Sequence, residues 1–197
     1  MSGCIIAFEG LDQSGKQTQA ELLRDRLKQE GQKARLVSFP DYGTSIGEEI
    51  ARALQGEREY GPDVMQLLYI ANRYERKPDL QRWLDGGLML VCDRYTASSV
   101  AYGEAHGLDP AWLTELQKFL PAASLTIMLD IAPETAVQRK AVERDRYERD
   151  LDMQGRVRQS YRRQAVAGGW VVVDGERPKE AIADDVFAAA ASRLTLR

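Results

Sequence analysis

The sequence predicts an α/β domain built on a mostly parallel β-sheet. Five short apolar runs rich in β-branched residues have the character of strands buried on both faces: Cys4–Phe8, Arg35–Phe39, Leu88–Cys92, Leu125–Ile131 and Trp170–Val173. Segments with helical spacing lie between them, and this alternation favours right-handed crossovers in one sheet. No repeat, low-complexity tract or linker divides the 197 residues, so we predict a single domain over 1–197.

The predicted helices follow from apolar spacing and from residues that begin or end helices. Lys16–Gln29 is the first and stops at Gly31, and Ile46–Leu54 is the second. Val64–Asp85 is longer, with an interruption or a change of direction expected near Pro78. Four more are predicted, three of them opened by a proline: Pro110–Leu120, Pro133–Glu143, Leu151–Ala167 and Pro178–Leu194.

Composition excludes several classes of protein. The formal net charge of -3 provides no electrostatic reason to expect nucleic acid as a partner. Cys4 and Cys92 both lie in apolar runs, where cysteine usually packs as a small hydrophobe, and two such residues make no disulfide framework. Neither a signal-peptide pattern nor a run of about 20 apolar residues is present, so we expect no membrane span and a cytoplasmic location.

A glycine-rich loop joins the first predicted strand to the first predicted helix. It reads Gly10-x-x-x-x-Gly15-Lys16, and this pattern in this context predicts a phosphate-binding loop (P-loop) for a nucleoside triphosphate such as ATP. Its backbone N–H groups and the helix N-terminus favour anions, and Lys16 reaches the terminal phosphates. The predicted ATP-binding residues of the loop are Gly10, Leu11, Asp12, Gln13, Ser14, Gly15, Lys16, Gln17 and Thr18.

One position of this loop departs from the usual pattern. A serine or threonine that ligates Mg²⁺ normally follows the lysine, but here Gln17 stands there, with Thr18 next. A glutamine carbonyl oxygen can ligate this hard cation. Carboxylates can also hold it through water, and Asp12 and Asp93 are the candidates. The candidate metal ligands are therefore Asp93, Asp12 and Gln17.

Three further segments suggest what receives the phosphoryl group: Phe39-Pro40-Asp41-Tyr42-Gly43, Leu67 to Tyr74, and Asp93 to Tyr102. Together with Glu9-Gly10-Leu11-Asp12, they resemble thymidylate kinases over nearly the whole chain, from Phe8 to about Asp174. The resemblance implies a P-loop kinase fold with a five-stranded parallel sheet flanked by helices. It also implies a homodimer and transfer of the γ-phosphoryl group of ATP to dTMP, giving dTDP and ADP on the route to dTTP.

The same resemblance implies roles for single residues in the dTMP site. Tyr69 stacks on thymine, Arg73 helps to hold the base, and Arg94 grips the acceptor phosphate. Ser98 and Tyr102 line the thymine and deoxyribose pocket. The remaining residues implied for dTMP are Asp12, near the sugar 3′-hydroxyl and the phosphates, Phe39, Pro40 and Tyr147.

An arginine-rich segment at about 139–151 resembles the family's lid. Some thymidylate kinases carry a catalytic arginine inside the P-loop, but this chain has Gln13-Ser14 at that place. The resemblance therefore implies that the lid supplies it, from Arg144, Arg146 or Arg149, in addition to Lys16, Asp12 and Arg94 as catalytic residues. Arg139 resembles an arginine that covers adenine. A solvated helical face is the plain alternative for this charge run.

Two other functions are compatible with the loop. Another P-loop nucleotide or deoxynucleoside kinase is one, and a nucleoside kinase would need a base beside the acceptor hydroxyl, for which Glu9 is the candidate. A P-loop switch or binding protein is the other, but no residue in the sequence marks itself as positioning water. Transfer to a phosphate dianion needs no general base, because positioning and charge stabilisation suffice.

Overall fold

The computed structural model describes residues 3–139 and 151–194, in which the five predicted strands form one parallel sheet of order β2-β3-β1-β4-β5. All four strand pairings are parallel. The strands are β1 (Cys4–Glu9), β2 (Ala34–Ser38), β3 (Met89–Asp93), β4 (Leu125–Asp130) and β5 (Val171–Asp174). Each lies within two residues of its predicted bounds, so the predicted five-stranded parallel sheet is confirmed.

The helices differ from the prediction by more than two residues in three places, and the helix end predicted at Glu143 lies outside the described residues. In the described residues they are α1 (Lys16–Gln29), α2 (Ser45–Leu54), α3 (Pro62–Asp85), α4 (Thr96–Ala105), α5 (Pro110–Glu115), α6 (Pro133–Arg139), α7 (Leu151–Gly168) and α8 (Lys179–Leu194). The interruption predicted near Pro78 was wrong, because α3 continues through it with buried residues on both sides, Arg73 and Leu80. The helix α4 was not predicted, and α5 ends at Glu115 rather than at Leu120.

Helices cover both faces of the sheet. On one face, Ile6 and Phe8 of β1 pack with residues of α1 and α8 such as Leu27 and Val186. On the other, alternate strand residues such as Leu90 pack with α3, and Met128 packs with α4 and α7. Burial of both faces explains why the central strands β1, β3 and β4 read as continuous apolar runs. Within the part of the chain that the structure describes, no helix is long and apolar enough to cross a membrane.

The strand register brings the functional loops together at one edge of the sheet. Phe8 of β1 pairs with Asp93 of β3, and Ser38 of β2 pairs with the same Asp93. The P-loop, the Phe39-Pro40 segment and Arg94 therefore begin side by side, at the carboxyl ends of three neighbouring strands. Ligands bind at this edge in open α/β sheets.

Candidate active site

The P-loop has the tightly curled backbone that the sequence predicts. Gly10 has a φ of 138°, Gln13 of 62°, and Gly15 of 91°, where it caps the N-terminus of α1. A Cβ on Gly10 would lie 2.4 Å from the carbonyl oxygen of Leu129, so the loop passes β4 too closely for a side chain. The loop thus leads directly into a helix N-terminus, which favours bound anions.

We expect Gly10→Ala to lower the free energy of unfolding by about 2–3 kcal/mol, because it adds backbone strain and the contact with Leu129. Urea unfolding measures the change. Gly56→Ala is the matched control, since Gly56 also has a positive φ, of 83°, but its Cβ would meet nothing within 4 Å. The control should lose about 1 kcal/mol. Equal losses in the two variants would contradict the steric account of Gly10.

Lys16 lies over the loop that it follows. The residue is buried, and its Nζ donates to the carbonyl oxygen of Leu11 at 2.5 Å and to Oγ of Ser14 at 3.4 Å. These contacts hold the ammonium group of Lys16, a compact positive charge on a flexible side chain, next to the backbone of the loop. The geometry therefore places the predicted phosphate-binding lysine next to the predicted phosphate-binding backbone.

Arg94 is the centre of a polar cluster next to the P-loop. Its Nη1 donates to Ser98 Oγ at 3.2 Å and to Tyr161 Oη at 3.3 Å, and its Nη2 forms an ion pair with Asp12. Tyr102 Oη donates to the other oxygen of Asp12 at 3.0 Å. Burial disfavours the charge of Arg94, but Tyr102, Tyr161 and Glu9 outweigh this effect and raise its pKa. The cluster therefore keeps a permanent cation at this edge.

Glu9, the candidate base of the nucleoside-kinase alternative, lies beneath this cluster. It is fully buried, and one carboxylate oxygen accepts from the backbone N–H of Tyr95 at 2.9 Å. The other accepts from Ser98 Oγ at 2.7 Å and from Tyr161 Oη at 3.1 Å. With both oxygens engaged, Glu9 orients the residues around Arg94 and is not placed to take a proton from an acceptor hydroxyl. Sequence reasoning did not single out Tyr161.

A pocket of about 150 Å³ opens beside the cluster, and we call it the acceptor pocket. It brings together eight of the nine residues predicted for dTMP: Asp12, Phe39, Pro40, Tyr69, Arg73, Arg94, Ser98 and Tyr102. The ninth, Tyr147, lies outside the described residues. Sequence reasoning missed the other four lining residues, which are Tyr42, Leu54, Gln66 and Ser99.

Arg73 forms part of the buried wall of the acceptor pocket. Its Nη1 donates to the carbonyl oxygen of Tyr69 at 3.0 Å, its Nε donates to Gln117 Oε1 at 3.3 Å, and its Nη2 donates to Ser99 Oγ. Burial lowers the pKa of Arg73 to about 10, while the nearby charge of Glu9 opposes the shift. The guanidinium is therefore charged at neutral pH and faces the pocket with donors only.

The three candidate metal ligands differ in what their oxygens contact. Oδ1 of Asp93 is buried without a hydrogen-bond partner, and burial raises the pKa of this carboxyl although Lys16 opposes the shift. Both oxygens of Asp12 are engaged by Arg94 and Tyr102. Gln17 is exposed and its amide donates to Glu21 at 3.0 Å. Asp93 thus fits a cation best, and the described residues contain no cluster of three metal-binding side chains.

Arg139 connects the two loops expected around the adenine. Its Nη2 donates to the carbonyl oxygen of Gly175 at 2.9 Å and its Nη1 to that of Gln13 at 3.4 Å. The side chain therefore bridges the P-loop and the loop after β5. The predicted lid arginines, Arg144, Arg146 and Arg149, lie outside the described residues.

Asp130, at the end of β4, holds the helix that follows the lid segment. Arg158 of α7 contacts its two oxygens at 2.7 and 3.1 Å, and Arg162 contacts one of them at 2.7 Å. Burial alone would raise the pKa of Asp130, but the two guanidinium groups outweigh it and hold the pKa below its usual range. The aspartate is thus ionised at neutral pH and ties α7 to the sheet.

We expect Asp130→Asn to lower the free energy of unfolding by about 1–2 kcal/mol near pH 7, since two arginines lose their partner and one of them is largely exposed. A carboxyl whose pKa is depressed by folding stabilises the fold above its unfolded pKa of about 3.9. This stabilisation is lost as the pH falls through the lower folded value, so the difference between the two proteins should shrink below about pH 4. Urea unfolding of both proteins at pH 7 and at pH 3 measures this difference in the free energy of unfolding.

Asp152→Asn is the matched control for this prediction. Asp152 pairs with Arg156 on the same helix, but its side chain is 81% exposed and that of Arg156 is 48% exposed. The control should change stability by no more than about 0.5 kcal/mol at either pH. A loss in Asp130→Asn that does not vary between pH 7 and pH 3 would contradict the assignment of the stabilisation to the ionised carboxylate.

Comparison with known proteins identifies relatives along most of the chain. The family model described as thymidylate kinase matches residues 8–186. Thymidylate kinase of Schizosaccharomyces pombe is 37% identical over 82% of this chain and 76% of its own length. The human enzyme is 31% identical over 93% of this chain and 88% of its own. The match to the solved structure of thymidylate kinase from Candida albicans covers 100% of this chain and 94% of that chain, with 26% sequence identity and a TM-score of 0.84.

Proposed function

Since this chain belongs to the thymidylate kinase family, we infer that it transfers the γ-phosphoryl group of ATP to dTMP, giving dTDP and ADP. The acceptor pocket is the observation that carries this inference to the residues. Eight residues assigned to dTMP from the sequence line it, and Arg94 and Asp12 of its wall lie next to the P-loop. A donor site and an acceptor site therefore share one edge of the sheet.

In the proposed mechanism the residues position two anions and stabilise the charge between them. The P-loop backbone and Lys16 bind the triphosphate, and Arg94 draws the acceptor phosphate towards it. Tyr69 offers a ring on which the base stacks, and Tyr102 lies beside the sugar. Because the acceptor is already a phosphate dianion, Glu9 is free to act as a positioning residue, in agreement with its two engaged oxygens.

We propose that Asp93 holds the Mg²⁺ that accompanies ATP, through its unpartnered buried oxygen. Mg²⁺ usually takes one or two carboxylates together with water and substrate phosphates, so the absence of a larger acidic cluster from the described residues is compatible with this role. When bound, the ion neutralises charge on the phosphates. Gln17 and Asp12 remain the other two predicted ligands.

Replacement of Lys16 by methionine should lower kcat by about 10²-fold, because it removes one positioned cation from the transferring group while keeping the side-chain volume. A coupled assay for ADP at saturating dTMP measures the change. Lys28→Met provides the control, since Lys28 lies at the far end of α1 and is exposed. A Lys16→Met enzyme within a few-fold of the parent would contradict the assigned role.

We further propose a homodimer that packs through α3. Val64 and Leu67 lie three residues apart on this helix and are exposed by more than a third in the single chain, so they present adjacent apolar side chains that a second copy would cover. Light scattering of the purified protein tests the mass. A monomer at micromolar concentration would contradict the proposal. The cytoplasmic location stays a prediction of the sequence.

The switch alternative makes a different demand on the acceptor. A P-loop switch hydrolyses its nucleotide at a rate that does not depend on a nucleoside monophosphate, whereas a kinase transfers the group to one. We expect ADP production to rise many-fold on addition of dTMP, and not on addition of thymidine. Equal rates with and without dTMP would contradict the proposed function.

A further inference from the structure

Gln66 is a buried polar residue of the acceptor pocket that the mechanism above does not use. It is 3% exposed, and its Oε1 is buried without a hydrogen-bond partner. Gln66, Tyr69 and Arg73 lie at positions i, i+3 and i+7 of α3 and all line the pocket. They therefore share one face of the helix, with the amide on one side of the stacking tyrosine and the guanidinium on the other.

The packing of α4 holds the stem of Gln66 against the pocket wall. A Cβ on Gly103 of α4 would lie 3.3 Å from Cγ of Gln66, so the glycine permits the close approach of the two helices. A buried amide oxygen without a donor is destabilising, and buried polar side-chain atoms in native proteins usually have a hydrogen-bond partner. The position of Gln66 in the pocket indicates that this partner belongs to the ligand.

The chemistry of the two polar side chains matches one type of pyrimidine. Arg73 has donors only, and Oε1 of Gln66 is an acceptor. Thymine and uracil place a carbonyl acceptor at O4 beside the N3–H donor, whereas cytosine places an amino donor at C4 beside an acceptor at N3. A donor from Arg73 and an acceptor from Gln66 therefore complement the edge of thymine or uracil and oppose that of cytosine.

We propose that Oε1 of Gln66 accepts a hydrogen bond from N3–H of the base stacked on Tyr69, and so determines the preference for thymine and uracil bases over cytosine. This inference rests on the proposed function, because it assumes a pyrimidine nucleotide in the acceptor pocket. Gln66 reads the base edge, whereas the reacting phosphate lies at Arg94. Its removal should therefore change the choice of base more than the rate at saturation.

The experiment compares dTMP, dUMP and dCMP as substrates of the parent protein and of Gln66→Met, which preserves side-chain length and removes the acceptor. We expect kcat/KM to fall by about 10- to 100-fold for dTMP and for dUMP, mostly through KM, and to change little for dCMP. The ratio of dTMP to dCMP should therefore fall at least tenfold. An unchanged ratio, or an equal loss on all three nucleotides, would overturn the inference.

Gln19→Met is the matched control, because Gln19 is also buried with an unpartnered Oε1 but lies outside the pocket, where its Nε2 donates to the carbonyl oxygen of Lys179. The control should leave the ratio within two-fold, and a shift equal to that of Gln66→Met would overturn the inference. A change of ligand avoids the risk of misfolding. The parent should turn over N3-methyl-dTMP at least tenfold less efficiently than dTMP, and equal efficiency would contradict the role of Gln66.

The same data separate failure of this inference from failure of the proposed function. A parent that phosphorylates dTMP with a preference unchanged in Gln66→Met refutes the role of Gln66 and leaves the function intact. A parent that phosphorylates none of the three nucleotides refutes the function. In that case the dissociation constants of dTMP and dCMP, measured by calorimetry on both proteins, give the ratio that decides on Gln66.

Discussion

Replacement of Arg94 by alanine is expected to lower kcat/KM for dTMP by about 10³-fold. Arg94 is the fixed cation between the acceptor pocket and the P-loop, and it is held by Asp12, Ser98 and Tyr161 at a φ of 63°. In the proposed mechanism its removal takes away both the contact with the acceptor phosphate and charge stabilisation during transfer. Steady-state kinetics with varied dTMP measure the loss, and urea unfolding shows whether Asp12, left without its partner, also destabilises the fold.

Two further variants, one at Arg94 and one at an exposed arginine, are the controls for this result. Arg94→Lys keeps a charge but loses the planar fork, so it should recover only part of the activity. Arg82→Ala removes an exposed arginine that pairs with Asp79 near the carboxyl end of α3, and neither residue lines the pocket, so this variant should stay within a few-fold of the parent. If Arg94→Ala retained more than a tenth of the parent's kcat/KM, Arg94 could not be the residue that binds the acceptor phosphate.

The second large effect is expected in the lid. The P-loop carries neutral Gln13-Ser14 where some family members have an arginine, so we expect at least one of Arg144→Ala, Arg146→Ala and Arg149→Ala to lower kcat by about 10³-fold or more. An arginine brought to the transferring group acts in the transition state, so the loss should appear in kcat at saturating substrates.

Arg156→Ala is the control for these three variants, since Arg156 lies just beyond the lid segment and pairs with Asp152 on the surface. It should stay within a few-fold of the parent. Three lid variants that all kept kcat within a few-fold would show that the run of arginines is a solvated helical face. The catalytic cation would then have to come from elsewhere in the chain.

The sheet was predictable chiefly because its central strands β1, β3 and β4 are buried on both faces and therefore read as apolar runs. The helix α4 could not be predicted in the same way, because the residues that pack against α7 are small: Ala97, Ala101 and Ala105. The segment therefore lacks the spacing of large apolar residues that marks a helix. The local sequence pattern also could not predict that α3 continues through Pro78. Tertiary packing of Leu80 and its neighbours overrides the local preference to end the helix.

Most of the acceptor pocket was predicted through the resemblance of its motifs to those of thymidylate kinases. The motifs after β2 and β3 meet in the fold because the carboxyl ends of parallel strands share one edge of the sheet. The missed residues depend on contacts between elements. Tyr161 comes from α7, and only the fold brings it to Glu9 and Arg94. Gln66 could have been found, because it precedes Tyr69 by one helical turn on the face that was already assigned to the base.

The most direct test is the choice of acceptor. We expect kcat/KM with ATP to be highest for dTMP among dTMP, dUMP, UMP, dCMP and thymidine. Thymidine should be inactive because it brings no phosphate to Arg94. UMP should be disfavoured because Tyr102, which the proposed mechanism puts beside the sugar, leaves no room for a 2′-hydroxyl. Preference for any acceptor other than dTMP, thymidine above all, would contradict the assignment of this chain as a dTMP kinase.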